Sequence, residues 1–445
     1  MKNLRTQAAR PSFSLWIAAA VVAAAFGSLG AGLSAQSTTQ LPAEDQMIDL
    51  SVSELYRVGG IDADPWETFG ESLRLTFGPD GTLYILDRSG FRVVSVTADG
   101  SNHSEFGKEG EGPGEFRTPV SLNVTPSGDI VVLDFSARGF TIFDSDGVYK
   151  ESVRIPIDGG TFAMGDVQMD PRGGGVFTAL GGGGGMMMMS QQGPGSGPVA
   201  PPEPGIPIQR YSLSGDPIET LYRAWDAQAT PMVDITFGGG RGGRGARGSV
   251  RLGRSQMAYR PTLRWTVTPD GGVAFIDSTT YRIQLVSPQG ELTRIFERDI
   301  SPIPVTDRLK ERERARRLEA LESGEGPRIS IVTDDGRGAR AMPQGQIREM
   351  QISQLESLEF WEEISPIRSL TMDTEGRFWI ERGGADSAEP GPIDIVSFSG
   401  AYLGTIPADG LRTPSAFGPN GLVAYIETDE YDVATIVVKR MSGGR

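Results

Sequence analysis

The side chains able to do chemistry in this 445-residue chain are few in kind. It has no cysteine and a single histidine, His103. Thiolate nucleophiles, disulfides, Cys-ligated zinc and iron–sulfur clusters are therefore excluded. A histidine-based metal site or a Ser/His/Asp triad has only His103 to draw on. Carboxylates and guanidinium groups remain, and their spacing repeats: Asp87 is followed by Arg92, Asp134 by Arg138 and Asp277 by Arg282. A ring of guanidinium groups at equivalent loops would hold a carboxylate or a sugar acid. Alternatively, each Asp accepts backbone and Arg hydrogen bonds that pin its own loop. Recurrence favours the loop-pinning reading, because a true site is asymmetric. Arg88, Trp361, Glu381 and Arg382 break the repeat near the same loops, which makes them candidates for ligand contact alongside the repeated pairs.

The elements that position these residues come from an internal repeat. The clearest copy is 72–107, SLRLTFGPDGTLYILDRSGFRVVSVTADGSNHSEFG. It alternates apolar and polar residues with tight turns between the runs, the pattern of four antiparallel strands. Related copies run over 121–155, from 166 with completion at 208–222, over 263–296, over 369–384 with 393–406, and over 415–429 with 433–441. Turn glycines Gly81, Gly128, Gly173, Gly271, Gly376 and Gly421 mark them. The fold class is all-β, a six-bladed β-propeller of four-stranded antiparallel blades. The sixth copy supplies three strands, so Met47–Val58, in period-two alternation, is expected to close that blade as its outer strand. His103 is expected at the surface, near the start of an outer strand of blade 1.

The segment FGKEGEGPGEFRTP (Phe106–Pro119), followed by a strand, a Pro-Ser-Gly turn and DIVVLD, resembles the NHL-repeat family. The chain as a whole resembles uncharacterised exported bacterial six-bladed β-propeller proteins. Copies three, five and six depart from the pattern: Asp and Arg are missing after Ala179-Leu180, and Glu381-Arg382 stands in their place in the fifth. The resemblance implies a scaffold, a binding or sensor module, an amidating lyase, or a lactonase-like enzyme. The lyase relies on a histidine-rich metal site that His103 alone cannot supply. The lactonase-like enzymes set Glu, Asn and Asp around a divalent cation in the central channel, and no motif here marks that set. A divalent cation is the cofactor only under this alternative.

The chain opens with Lys2, Arg5 and Arg10 and an apolar stretch from Leu15 to Leu33, then Leu33-Ser34-Ala35. This reads as a signal peptide over 1–35, cleaved after Ala35, for a periplasmic or secreted protein. Its rival is an uncleaved anchor, the one route to a membrane. Residues 36–46 read as a flexible lead-in, and 47–445 as the propeller. A formal net charge of -15 argues against nucleic acid as a partner. A monomer is expected.

Three insertions interrupt the repeats, over 181–205, 226–258 and 300–365. By strand order all belong to the second-to-third-strand and inter-blade connections, which lie on one face. The other face has only tight turns. The first insertion is rich in Gly and Pro, and its run Met186–Met189 reads as low-complexity sequence rather than a soft-metal ligand set. Gly238–Gly248 resembles an RGG segment and is read as a flexible basic loop. In the third, Asp307–Glu322 has the composition of a solvated helix, and Ile347, Met350, Leu355, Leu358 and Trp361 recur as on an amphipathic helix, expected over the channel or over blade edges. Long loops on one face of a rigid scaffold are where binding resides. The expected function is therefore binding of a small molecule, glycan or protein on the insertion face. The alternative is a metal-dependent hydrolase or lyase with its site at the central channel.

Overall fold

The computed structural model describes residues 36–443 except 71, 156–166, 180–204, 217–218, 226–232, 237–248, 253–256, 324–331, 335–338, 342–343, 385–388 and 432. The signal peptide, its cleavage point after Ala35, the Met186–Met189 run and Gly238–Gly248 lie outside the described residues.

Six four-stranded antiparallel blades form the ring; in five of them consecutive strands run from the innermost outward, and the sixth takes its outer strand from the N-terminal side. Blade 1 runs Leu73–Phe77, Leu83–Asp87, Arg92–Val96 and His103–Phe106. Blade 2 runs from Pro119 to Arg154, blade 3 from Val167 to Ala224, blade 4 from Arg264 to Glu297, and blade 5 from Ile367 to Ile406. Blade 6 is Ala416–Phe417, Leu422–Thr428 and Ala434–Ser442, completed from the N-terminal side. All six turn glycines named above hold a positive φ, which a Cβ would strain, so the Pro-Asp-Gly type of turn is set by backbone chemistry.

Second strands such as Leu83–Asp87 and Ile130–Asp134 are buried along their whole length, because a neighbouring blade covers each face. The core is accordingly divided into six apolar clusters among the described residues. One joins blades 1 and 2 through Leu86, Phe116 and Val132, and others lie between each later pair. The last closes the ring between blades 6 and 1 through Leu83, Leu422 and Ile436.

Strand β1 (Ser37–Gln40) and strand β2 (Ser51–Gly59) come from the N-terminal segment. β2 pairs antiparallel with the last strand of blade 6, from Ser51 opposite Ser442 to Gly59 opposite Thr435, and gives that blade its fourth strand. Residues 36–46 depart from the expectation of a flexible lead-in. β1 adds in parallel to the outer strand of blade 4, with Ser37 opposite Arg294 and Gln40 opposite Glu297. Leu41 is then buried, and Met47 bridges to Thr405 on the outer strand of blade 5. One strap thus crosses the outer edges of blades 4, 5 and 6. The physical reason lies in a charge cluster beneath it. Arg298, whose side chain is fully buried, reaches Asp394 Oδ2 at 2.7 Å and Asp45 Oδ1 at 2.7 Å, and donates from Nε to the Pro42 carbonyl at 2.7 Å.

The third insertion is helical, as expected: α1 is Asp307–Ser323 and α2 is Gln344–Glu356. α2 begins earlier and stops before Leu358 and Trp361, so neither is on the helix. The chain instead bridges at Ala258–Phe360, and Trp361 N–H donates to the Ala258 carbonyl at 2.9 Å. The side chains of Ile347 and Met350 lie outside the described residues. Among the described residues no helix is long and apolar enough to cross a membrane.

Candidate functional site

In an up-and-down blade, the start of the first strand and the end of the second lie at the same end of the channel. Inter-blade connections enter there too, so this is the insertion face. The repeated Asp residues all occur at the end of a second strand. Asp87 Oδ1 accepts from Gly90 N–H at 2.9 Å, and its Oδ2 lies 3.5 Å from Arg92 Nε. Arg92 spends its terminal nitrogens on Glu105 at 2.6 Å and the Thr68 carbonyl at 2.7 Å. Asp134 accepts from the backbone of Arg117 at 2.6 Å, Thr118 at 3.0 Å and Ala137 at 2.9 Å. Asp277 accepts from Trp225 N–H at 2.8 Å and from Gln284 Nε2 at 2.9 Å. Burial pushes the Asp277 carboxyl above its ordinary range despite those bonds. Each Asp is a tie between its own hairpin and a neighbouring segment.

The Asp/Arg pairing itself forms only in blade 1 among the described residues. Arg138 sits exposed at a positive φ of 52° and makes no ion pair with Asp134. Arg282 instead lies 3.4 Å from Glu297. The reason is reach: both carboxyl oxygens of Asp134 and of Asp277 are already taken by nearer amide donors.

Blade 5 inverts the pattern. Arg382 stands opposite Ile367, the register that Asp87 holds opposite Leu73 and Asp134 opposite Pro119. Its guanidinium reaches Asp45 at 2.6 Å and Asp394 at 3.5 Å, so it belongs to the cluster under the strap. Glu381 pairs with Arg368 at 3.0 Å and accepts from Ser369 at 3.2 Å. Trp361 packs edge-on against Trp225 with ring centroids 6.4 Å apart, and Trp225 is 51% exposed. His103 opens the outer strand of blade 1 and stacks flat on Trp66 at 3.8 Å, away from the channel.

The channel mouth holds a set that the Asp-centred motif does not reveal. An Arg stands at the head of the innermost strand in three blades, second in Leu73–Phe77 and Ile367–Met372 and first in Arg264–Val267. Arg74 pairs opposite Leu86 and Arg264 opposite Ile276, while Arg368 is the bulged residue between Ile367 and Ser369. Arg88, one residue past the end of the second strand, joins them in blade 1. Its Nε donates to the Pro119 carbonyl of blade 2 at 3.0 Å. Burial lowers its pKa, and the charge of Arg74 lowers it further. Arg264 Nε donates to the Arg368 carbonyl at 2.7 Å, tying blade 4 to blade 5, and Arg264 also bonds Thr262; burial depresses its pKa. The sequence did carry a signal for this set: an apolar residue followed by Arg opens the blade in Leu73-Arg74, Leu263-Arg264 and Ile367-Arg368.

A cleft of about 490 Å³ opens on the same face between α1 and blade 5, lined in part by Ile300, Arg312, Pro366, Arg382, Glu389 and Pro392. A smaller one of about 360 Å³ lies on the tight-turn face between blades 2 and 3, beside the Lys150–Asp129 ion pair. No group of three or more His, Asp or Glu side chains among the described residues is placed to hold a metal ion. The acid of the arginine-rich mouth, Glu381, is engaged by Arg368 and Ser369. The described residues do not assemble the Glu, Asn and Asp set of a lactonase-like divalent-cation site.

No family model and no curated protein matches this sequence. Solved structures similar to the chain include a member of the duf4221 family from Bacteroides vulgatus, at 8% identity and a TM-score of 0.46, covering 90% of this chain and 100% of that one. An exported-protein candidate from Bacteroides fragilis is 10% identical with a TM-score of 0.44, covering 91% of this chain and 99% of that one. A gluconolactonase from Xanthomonas campestris is 13% identical with a TM-score of 0.34, covering 88% and 90%. The strand topology itself shows the chain to be a six-bladed β-propeller.

Proposed function

We propose that this chain is an exported binding propeller that takes a ligand on its insertion face. What supports this reading is that the strands flanking all three insertions leave and re-enter the blades at one end of the channel, where the 490 Å³ cleft and the exposed Trp225 also lie. A cleft of that size suits a small ligand, and the exposed Trp225 against the half-buried Trp361 suits a sugar or peptide. Export rests on the leader over 1–35.

The test is a thermal-shift screen of the purified protein against sugars, sugar acids, peptides and divalent cations, since a ligand that binds only the folded state raises the melting temperature. The reading expects a hit that Trp225→Ala or Trp361→Ala weakens. A divalent cation as the sole hit would favour the enzyme instead.

A further inference from the structure

Arg74, Arg88 and Arg264 have no carboxylate partner among the described residues, in a protein whose net charge is -15. Acids were therefore plentiful, yet only Arg368 of the four received one. A partly buried cation without a counter-ion is costly, and gathering several at one opening adds mutual repulsion. Arg88 and Arg264 are not loose chains. Each is anchored through Nε to a backbone carbonyl of the next blade, at 3.0 and 2.7 Å. The terminal nitrogens of Arg88 have no protein partner among the described residues. Arg74 is exposed on the strand that lines the channel, and its one hydrogen bond runs to the adjacent Leu73 carbonyl. The Arg88 fork is anchored at its stem and open, whereas Arg264 spends one terminal nitrogen on Thr262 and Arg368 is engaged by Glu381; an open fork held this way is arranged to receive a planar or tetrahedral oxyanion. The arrangement is asymmetric around the ring, present in blades 1, 4 and 5, which a purely architectural repeat would not produce.

We propose that Arg74, Arg88, Arg264 and Arg368, at the insertion-face mouth of the central channel, form a binding site for a small oxyanion, a carboxylate or phosphate group. This rests on the reading of the insertion face as the binding face and names the ligand class for it. Glu381 sets the strength of the site, because it neutralises Arg368.

The experiment is calorimetric titration of the purified protein at low salt with galacturonate, with inorganic phosphate and with neutral galactose. Binding of galacturonate alone identifies a carboxylate site, and binding of phosphate alone a phosphate site. Either supports the proposal. Arg74→Gln and Arg264→Gln should each weaken binding about tenfold, the loss expected for one charge-assisted hydrogen-bonded contact. Glu381→Gln should tighten it several-fold, an effect that a merely structural role would not give. The unliganded melting temperature of Arg88→Gln and Arg264→Gln should hold or rise, which separates lost binding from lost fold. The proposal is overturned if neither anion binds at concentrations up to about 10 mM, or if binding is indifferent to Arg74→Gln and Arg264→Gln. Galactose or a peptide binding with dependence on Trp225, and no anion binding, overturns it while leaving the insertion-face reading intact. Ligand held at the tight-turn face overturns both.

Discussion

Replacing Asp394 by Ala removes the centre of the cluster beneath the N-terminal strap. Asp394 and Arg298 are both fully buried at the side chain and 2.7 Å apart. Asp394 also accepts from Tyr281 Oη at 2.8 Å and Thr405 Oγ1 at 2.6 Å. Without it, the one carboxylate left to Arg298 among the described residues is Asp45, which Arg382 shares at 2.6 Å, and the Tyr281 hydroxyl loses its acceptor. Removing one partner of a buried pair costs about 3–5 kcal/mol. For a domain of this size that corresponds to a melting temperature lower by roughly 4–6 °C. Urea unfolding is the assay: the midpoint should fall with an unchanged slope, since the folded surface is the same. The paired change Arg298→Met with Asp394→Leu should recover most of the loss, because it leaves no unpaired charge. A single-variant cost under about 1 kcal/mol, or a double variant as damaged as the single, would refute the reasoning.

Deleting residues 36–59 removes β1 and β2 and leaves blade 6 with three strands and an open edge. The expected outcome is a large fall in melting temperature with self-association, read by scattering. Acid should weaken the strap. Burial raises the Asp45 pKa, the bonds from Arg382 and Arg298 outweigh it, and the net value lies below the ordinary range. A depressed folded pKa gives stability that is complete above the unfolded value near 4 and lost as pH falls through the folded one, so the urea midpoint should be flat from about pH 5 to 7 and drop below about pH 4. Asp170, held by Arg172, adds to the same trend. Ligand binding on the insertion face should change the tryptophan emission of the wild type far more than that of Trp225→Phe, because Trp265 and Trp379 are buried in the blades. An unchanged response in Trp225→Phe would place the ligand elsewhere.

The propeller was legible because the blades repeat their own instructions: alternation and a turn glycine in all six, and an Asp at the end of the second strand in blades 1, 2 and 4. Even the closure of the ring could be read, since three strands in the last copy call for a fourth and β2 carries the right period. The strap over 36–46 could not. β1 is four residues long, STTQ, with no apolar alternation, and it is held by Arg298 and by parallel pairing to a strand more than two hundred residues away. Long-range partners of that kind leave no local pattern. The arginine set was missed for a different reason. The Asp residues recur in a loud motif and turn out to serve hydrogen bonding within the scaffold, whereas Arg74, Arg264 and Arg368 recur in a quiet one, a single position in three of six copies. Arg382 breaks the repeat in the sequence, and in the structure it reaches Asp45 and Asp394 beneath the strap.

Hydrogen–deuterium exchange of the protein with and without saturating galacturonate tests the central claim, that function resides on the insertion face at the channel mouth. The account expects added protection at Ser72–Arg74, around Arg88, and across Thr262–Arg264 and Ile367–Ser369, with none at the opposite turns. Protection centred on Pro79–Gly81, Asp144–Gly147 or Pro269–Gly271 would contradict it.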